Sequence, residues 1–282
     1  MNVTTFTDPG QFADAVQPVL ARHPAHSSVL ATILDQAVTG NLRQDDALWL
    51  LITDAGEPVS AAMHTPPYNL FLTPIPAAAR GTAIRLLADA TLDTGHDLPG
   101  VTAPAAEAEA FAALWRQRTG RPSRPTLGEL LYEISDVPAE PGVPGAPRFL
   151  TEADVPLATN WISAFNLEAV PDRPAVDAEH AVRQRLTRGW YLLWEDGGEP
   201  VSLAGLSRAA AGTGRVGPVY TPGEHRRNGY GAAVTVAATR LCFEQGARRC
   251  VLYADVANPT SNGIYRAIGY RPIGETLMIG FY

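Results

Sequence analysis

The sequence predicts an α/β (α+β) protein built as two copies of one architecture. Three observations predict it. A heptapeptide recurs at half-length, each half alternates strand-patterned with helix-patterned segments, and a proline-rich stretch divides them. Residues 54–60 read Asp-Ala-Gly-Glu-Pro-Val-Ser and residues 196–202 read Asp-Gly-Gly-Glu-Pro-Val-Ser, one difference in seven at a spacing of 142 residues. The flanks agree as well. Leu48-Trp49-Leu50-Leu51 precedes the first copy and Tyr191-Leu192-Leu193-Trp194 the second, while Thr73-Pro74 follows one and Thr221-Pro222 the other. Self-similarity at a fixed period is the signature of duplicated architecture. Asp136 to Pro147 carries Pro138, Pro141, Pro144 and Pro147, which remove donors and fix φ, so it reads as a linker and neither helix nor inner strand. The expected domains are 1–135 and 148–282, joined by 136–147.

In the first half, Asp8-Pro9 opens a helix whose apolar face is Phe12, Val16, Val19 and Leu20. Strands fit 47–53, 58–64 and 69–73. Pro76 to Leu92 and Ala105 to Arg118 read as helices, the latter with Phe111, Leu114 and Trp115 as its buried stripe. Leu130 to Ile134 is the last strand.

In the second half, Thr151 caps a helix with Asp154 three residues on, and Leu157, Trp161 and Phe165 form its apolar face. Asp177 caps a helix ending at Gly189. Trp190–Trp194 and Val201–Leu206 make a hairpin about Gly197-Gly198, because glycine supplies positive φ. Arg215 to Tyr220 is the next strand, and Pro218 inside it predicts a bulge or an unpaired position. Gly229 to Glu244 is a helix with Val234, Ala237, Ala238, Leu241 and Cys242 on one face. Cys250–Asp255 is a strand, Ser261–Ile268 a short helix with Ile264, Ala267 and Ile268 inward, and Leu277–Tyr282 a closing strand.

Composition narrows the function classes. A net charge of −7 opposes a nucleic-acid coat, which needs a basic face. No stretch approaches the ~20 apolar residues of a membrane helix, and the N-terminus lacks a signal-peptide pattern. Cys242 and Cys250 lack metal-type spacing and read as reduced packing residues, so no metal is expected. A cytoplasmic enzyme or binding protein without nucleic-acid or membrane partners is the expectation.

The chemistry concentrates in two segments. Val219-Tyr220-Thr221-Pro222 precedes Arg226-Arg227-Asn228-Gly229-Tyr230-Gly231-Ala232, a strand-to-helix turn. Such a turn presents free N–H donors and partial positive charge to a phosphate. Alone it is equally a tight turn. The second segment is Asn258-Pro259-Thr260-Ser261-Asn262-Gly263-Ile264-Tyr265-Arg266-Ala267-Ile268-Gly269-Tyr270. Together they resemble the GNAT (GCN5-related) N-acetyltransferases. Arg226, Gly229 and Gly231 match that superfamily's Arg/Gln-x-x-Gly-x-Gly/Ala loop. Asn258, Ser261, Tyr265, Gly269 and Tyr270 match its Asn-x-x-Ser/Ala-x-x-x-Tyr-x-x-x-Gly-Phe/Tyr helix.

The resemblance implies two GNAT-like domains, each a mixed, mostly antiparallel central sheet flanked by helices. It implies acetyl-CoA as donor, its pyrophosphate on the amides of Arg226 to Ala232 and its pantetheine arm beside Val219, Tyr220 and Thr221. A backbone N–H near Val219 or Tyr220 would meet the oxyanion, and Tyr265 would protonate the leaving thiolate. Asn258 and Ser261 would flank the cofactor arm, although Asn258 reads equally as an Asx-turn or helix cap. On spacing alone Tyr265 is a core aromatic. The strand 215–220 offers no glutamate as base. Asp255, Glu224 and His225 are weak candidates, and proton loss to water is an equal alternative. Glu168 and Asp172, in the segment Asn166–Pro174, could face a cationic acceptor. The expected acceptor is a primary amine of a small molecule or peptide.

The first half lacks these features. Aligned on Thr-Pro, Gly81 and Ala83 match Gly229 and Gly231, but the arginine becomes Ala78, and Gly120 aligned on Gly269 sets Arg116 opposite Tyr265. This half is expected to be a non-catalytic copy serving a structural, acceptor-shaping or homodimer-forming role. Two alternatives remain: an acyl-CoA-binding regulatory module, and a mycothiol-synthase-like thiol-biosynthesis enzyme, which shares this tandem plan.

Overall fold

A computed structural model describes residues 1–40, 46–169 and 177–282. The chain forms two compact units, Met1–Leu131 with Gly274–Tyr282, and Tyr132–Ile273. The boundaries fall inside two strands, β6 (Ser123–Ile134) and β12 (Arg271–Phe281).

The first unit runs β1 (Asn2–Phe6), α1 (Pro9–Arg22), α2 (Ser28–Val38), β2 (Leu48–Asp54), β3 (Glu57–His64), β4 (Leu70–Leu72), α3 (Arg80–Asp93), β5 (Gly100–Pro104) and α4 (Ala105–Thr119). Asp8 accepts from the N–H groups of Gly10 and Gln11 and so starts α1, which buries the four apolar residues expected of it. β1–β2, β2–β3 and β3–β4 pair antiparallel, and β4–β5 pair parallel. Residues Thr276–Gly280 of β12 pair antiparallel with Gly100–Pro104, and Ile279 and Phe281 are buried in the core beside Phe111 and Trp115. The closing strand expected for the second half therefore clusters with the first unit, because its ladder partner is β5.

The second unit runs β7 (Ala146–Phe149), a 3₁₀ turn (Glu152–Asp154), α5 (Val155–Ala169), α6 (Ala178–Leu186), β8 (Tyr191–Asp196), β9 (Glu199–Ala210), β10 (Thr213–Tyr220), a 3₁₀ turn (Gly223–His225), α7 (Tyr230–Glu244), β11 (Arg249–Asp255) and α8 (Pro259–Ile268). β7–β8, β8–β9 and β9–β10 pair antiparallel, and β10–β11 parallel. The order of pairings repeats that of the first unit. A core of Val155, Trp161, Tyr191, Leu193, Leu203 and Tyr220 lies between α5, α6 and the sheet.

The repeated heptapeptide has the same job in both units. Each copy holds a two-residue hairpin turn in left-handed backbone, Ala55-Gly56 (φ 49° and 88°) and Gly197-Gly198 (φ 58° and 87°). Each β-hairpin carries a register shift just before its turn. Each repeat also ends in a serine that binds the threonine of the following Thr-Pro: Ser60 Oγ lies 2.9 Å from Thr73 Oγ1, and Ser202 Oγ lies 2.8 Å from Thr221 Oγ1.

Several local expectations need correction. α3 begins at Arg80 and not at Pro76, because Pro76–Ala79 is used in a turn whose Ala79 N–H donates to the Pro76 carbonyl. α6 ends at Leu186, and a turn carries the chain to Gly189 at φ 64°. The linker holds edge strand β7, which pairs on one side so that Pro147 removes no inner ladder bond. On α8, Ala267 is exposed and Asn262 is the buried residue. Asn262 anchors the helix by polar bonds, donating to the carbonyls of Asp255 (2.9 Å) and Asn258 (2.8 Å) and accepting from the Tyr132 hydroxyl (2.9 Å).

Candidate active site

The site is built around the end of β10. Along this strand Val216 faces Leu206 of β9, and Val219 faces Ala204, so two residues of β10, Gly217 and Pro218, oppose Gly205 alone. That is the bulge Pro218 foretold. On its other edge β10 pairs with β11 only over Thr213–Arg215, and the recorded ladder stops before Val216. Successive N–H groups of a strand point to opposite edges. One of the Val219 and Tyr220 donors therefore faces away from β9, towards the edge left without β11.

The chain then turns into α7. Arg227 and Gly229 both take left-handed backbone (φ 68° and 85°), and Gly229 is the N-cap. The first intrahelical bond of α7 runs from the Ala233 N–H to the Gly229 carbonyl, which leaves the N–H groups of Tyr230, Gly231 and Ala232 without helical acceptors. Glycine is required here for space as well as φ. A Cβ on Gly229 would lie 2.8 Å from Val143 Cγ1, and one on Gly231 would lie 3.1 Å from Thr221 Oγ1.

The neighbouring side chains brace this turn. Arg226 Nε donates to the Thr221 carbonyl (2.9 Å), and its Nη2 pairs with Glu168 Oε2 (2.7 Å). The hydrogen bond it donates to Glu168 raises the Arg226 pKa. The Tyr220 hydroxyl donates to Glu168 Oε1 (3.2 Å), and burial, then Glu168, raises its pKa. Asn228 Nδ2 donates to the His225 carbonyl (3.2 Å), and the Tyr230 hydroxyl donates to Asp196, which raises its own pKa. These side chains are spent on the loop itself, which leaves the main-chain N–H groups and the Arg227 side chain as the donors the turn could offer to an anion.

The second segment opens α8. Asn258 Oδ1 accepts from the Ser261 N–H (3.0 Å), which makes Asn258 the N-cap of the helix. Asp255 Oδ1 accepts from the Ala257 N–H (2.8 Å), so one carboxylate oxygen serves the turn between β11 and α8. The Tyr265 ring meets Tyr132 edge-on at 6.0 Å and Tyr270 at 6.3 Å. Burial, with the nearby Tyr132 phenol, pushes the Tyr265 pKa up to about 12, so its proton is retained throughout the neutral range. Glu224 is exposed in the 3₁₀ turn beside His225. Asp172 lies outside the described residues.

Three participants were not foreseen. Tyr132 pins α8 through Asn262 and packs on Tyr265. Ser202 holds both the Tyr220 carbonyl (3.0 Å) and the Thr221 hydroxyl; its recurrence at the end of both repeats was a readable signal. Arg185 of α6 donates to the Gly217 carbonyl (3.0 Å), a contact with no trace in local pattern.

Among the described residues, no cluster of His, Cys, Asp and Glu could hold a metal ion, and no helix is long and apolar enough to cross a membrane. Cys242 and Cys250 are both buried.

Comparison with known proteins places this geometry. Residues 156–270 match the acetyltransferase (GNAT) family. The chain is similar in structure to a GCN5-related N-acetyltransferase from Sphaerobacter thermophilus, with a TM-score of 0.61 and 17% identity over 99% of this chain and 95% of that one. It is similar to a GCN5-related N-acetyltransferase from Kribbella flavida (TM-score 0.56, 18% identity, 93% of this chain and 95% of that one). It is also similar to a tandem GNAT protein from the clavulanic acid biosynthesis pathway (TM-score 0.56, 14% identity, 100% of this chain and 98% of that one). At these identities what is shared with the three structures is the fold.

Proposed function

We propose that this chain, whose residues 156–270 match the acetyltransferase (GNAT) family, is an acyltransferase that transfers the acetyl group of acetyl-CoA to a primary amine of a small molecule or peptide. The observation that carries the reading is the free main-chain donor set at the start of α7, set behind a bulged strand whose far edge is unpaired. The residues present fit the donor. Main-chain N–H groups suit a diphosphate, glycine at 229 and 231 lets its oxygens approach, and the open edge of β10 offers amide pairing to a pantetheine arm. Acetyl-CoA supplies a thioester, which is the electrophile.

The proposed step is direct transfer. The amine nitrogen forms a bond to the thioester carbonyl carbon, and the carbon–sulfur bond breaks. The Val219 or Tyr220 N–H that points away from β9 stabilises the charge developing on the carbonyl oxygen. Tyr265 gives its proton to the departing sulfur and recovers one from solvent. A group held at about 12 stays protonated and ready at neutral pH. The amine loses its proton to water. Asp255 is the weaker candidate for that role, since one of its oxygens already serves the Ala257 N–H.

The first unit is proposed to keep the frame without the activity. Glu107, the third residue of α4 as Ser261 is the third of α8, has a buried carboxylate that accepts from the Ile75 N–H (3.3 Å) and pairs with Arg80 Nε (3.0 Å). An internal anion thus engages the loop that would have to receive an external one.

The test is a panel of amines, polyamines, aminoglycosides, amino acids and N-terminal peptides assayed for acceptor-dependent release of CoA. Calorimetry of CoA binding accompanies it. We expect one CoA per chain, and Tyr265→Phe to lower kcat by roughly 10²-fold or more with CoA affinity retained. Two molecules of CoA bound per chain would overturn the reading of the first unit. Tight binding without turnover of any amine would replace the enzyme by a sensor.

A further inference from the structure

We propose that Arg185 is a positioning residue for acyl transfer, holding the β10 bulge through the Gly217 carbonyl so that the adjacent N–H donor meets the thioester oxygen. The proposal rests on the acetyl-CoA reading of the site. Its evidence is a through-sheet contact. The guanidinium leaves α6, lies over the Tyr191 ring of β8 at 5.3 Å, and donates Nη1 to the Gly217 carbonyl at 3.0 Å. It reaches that atom because the intervening residue of β9 has no side chain. Gly205 pairs with Tyr191 on one side and opposes the Gly217-Pro218 bulge on the other. A Cβ there would lie 2.6 Å from Arg185 Nη1, 2.6 Å from the Gly217 oxygen and 2.9 Å from Pro218 Cδ.

The physical role follows from what the bulge lacks. Pro218 has no N–H, and the recorded β10–β11 pairing ends at Arg215, so the main chain has few bonds with which to hold Gly217 and Pro218. A bulge re-aims the residues that follow it. Here those are Val219 and Tyr220, the proposed source of the oxyanion donor. A charged, planar donor stacked on an aromatic ring is a stiff tether for one carbonyl. Arg185 touches neither the donor nor the reacting atoms, so it acts through the backbone alone.

Two substitutions approach the contact from opposite sides. Arg185→Met keeps the stem and removes the donor, and Gly205→Ala keeps the arginine but puts a Cβ against both its Nη1 and the Gly217 oxygen, forcing the two apart. Arg185→Lys restores a single charged donor. Each full-length variant is measured for thermal unfolding, CoA affinity, kcat with the best acceptor, and the infrared carbonyl frequency of bound [1-¹³C]acetyl-CoA. We expect Arg185→Met and Gly205→Ala to bind CoA within about threefold of wild type while kcat falls roughly 10- to 100-fold, the scale of a misplaced donor. The red shift of the carbonyl band should shrink in both, and Arg185→Lys should recover part of kcat and of the shift. Unchanged kcat and carbonyl frequency in the two variants, with wild type active, overturns this proposal and leaves the function standing. CoA affinity and kcat falling together, in step with lost stability, also overturns it, because that describes a structural arginine. A wild-type chain that binds acetyl-CoA with a shifted carbonyl and acetylates no amine sinks the functional reading while the positioning role survives on the infrared data. Failure of the wild type to bind acetyl-CoA overturns both.

Discussion

Replacing Gly229 by alanine tests the phosphate cradle at its most constrained point. The residue is the N-cap of α7 at φ 85°. Left-handed backbone costs a residue bearing Cβ about 1–2 kcal/mol. The new Cβ would also sit 2.8 Å from Val143 Cγ1, so Val143 must retreat by several tenths of an ångström. If the variant keeps the native turn, the strain falls on folding and lowers the unfolding free energy by about that amount. If the free protein relaxes to negative φ, the N–H groups of Tyr230 and Gly231 swing away, and CoA must restore them on binding. The same 1–2 kcal/mol then appears as a roughly 5- to 30-fold rise in Kd. The loss in stability and the loss in affinity together should total about 1–2 kcal/mol, whichever takes the larger share. Denaturant titration supplies the first quantity and calorimetry the second. Pantetheine, which lacks the diphosphate, should bind Gly229→Ala and wild type alike. Val143→Ala in the same background should relieve the steric part and leave the φ part. A folded Gly229→Ala protein with stability and CoA affinity both unchanged would refute the reasoning, since it would mean that neither the turn nor its donors depend on that conformation.

Two further predictions concern pH. His64 is 2% exposed, and burial pushes its pKa from 6.5 to about 4. Its contribution to stability is full above pH 6.5 and is lost as pH falls towards 4, so the first unit should lose melting temperature across that window and His64→Leu should flatten the decline. Asp154 is held at about 2, chiefly by the Arg148 guanidinium, which engages it at 2.7 and 2.9 Å. Its contribution is present above pH 3.8 and disappears as pH falls through 2. Asp154→Ala should therefore destabilise the second unit by roughly 1–3 kcal/mol at neutral pH, with a difference from wild type that closes in acid when followed by circular dichroism.

What could be read from sequence was set by local chemistry. Asp8, Thr151 and Asp177 declare their helix starts because a cap acts within three residues. Pro218 declares a bulge because it cannot donate, and the glycines at 56, 197 and 198 declare hairpins because few residues take positive φ. The turn into α7 was legible for the same reason, since glycine spacing and a helix start lie within seven residues. Contacts between distant elements were not legible. Arg185 lies 32 residues from the carbonyl it holds, and Tyr132 lies 130 residues from Asn262. Helical periodicity misjudged α8, where an inward asparagine with four hydrogen-bond partners is the one buried residue of the helix. The pairing of the last strand with β5 likewise has no local signature, because its strand pattern does not name its partner.

The two units share a frame, and the proposed function assigns the chemistry to the second. Both keep the two-residue turn, the serine that binds the Thr-Pro threonine, the parallel pair that follows, and a left-handed glycine closing the next helix, Gly120 in one and Gly269 in the other. Each of these satisfies backbone polar groups or a required φ, so each is needed for the fold whether or not a ligand binds. One difference lies at the start of the helix that follows the parallel strand: the third residue of α8 is small and neutral Ser261, and the third of α4 is Glu107, 3% exposed. Burying a carboxylate is costly unless it is paired and hydrogen-bonded. Glu107 meets that condition by taking the Ile75 N–H and Arg80, donors at the two ends of the loop that precedes α3. A diphosphate arriving at that loop would compete for the same donors and leave a buried carboxylate unpaired. On the proposed reading of the first unit, the residue that satisfies this loop internally, Glu107, is also the one that competes with an external anion for its donors.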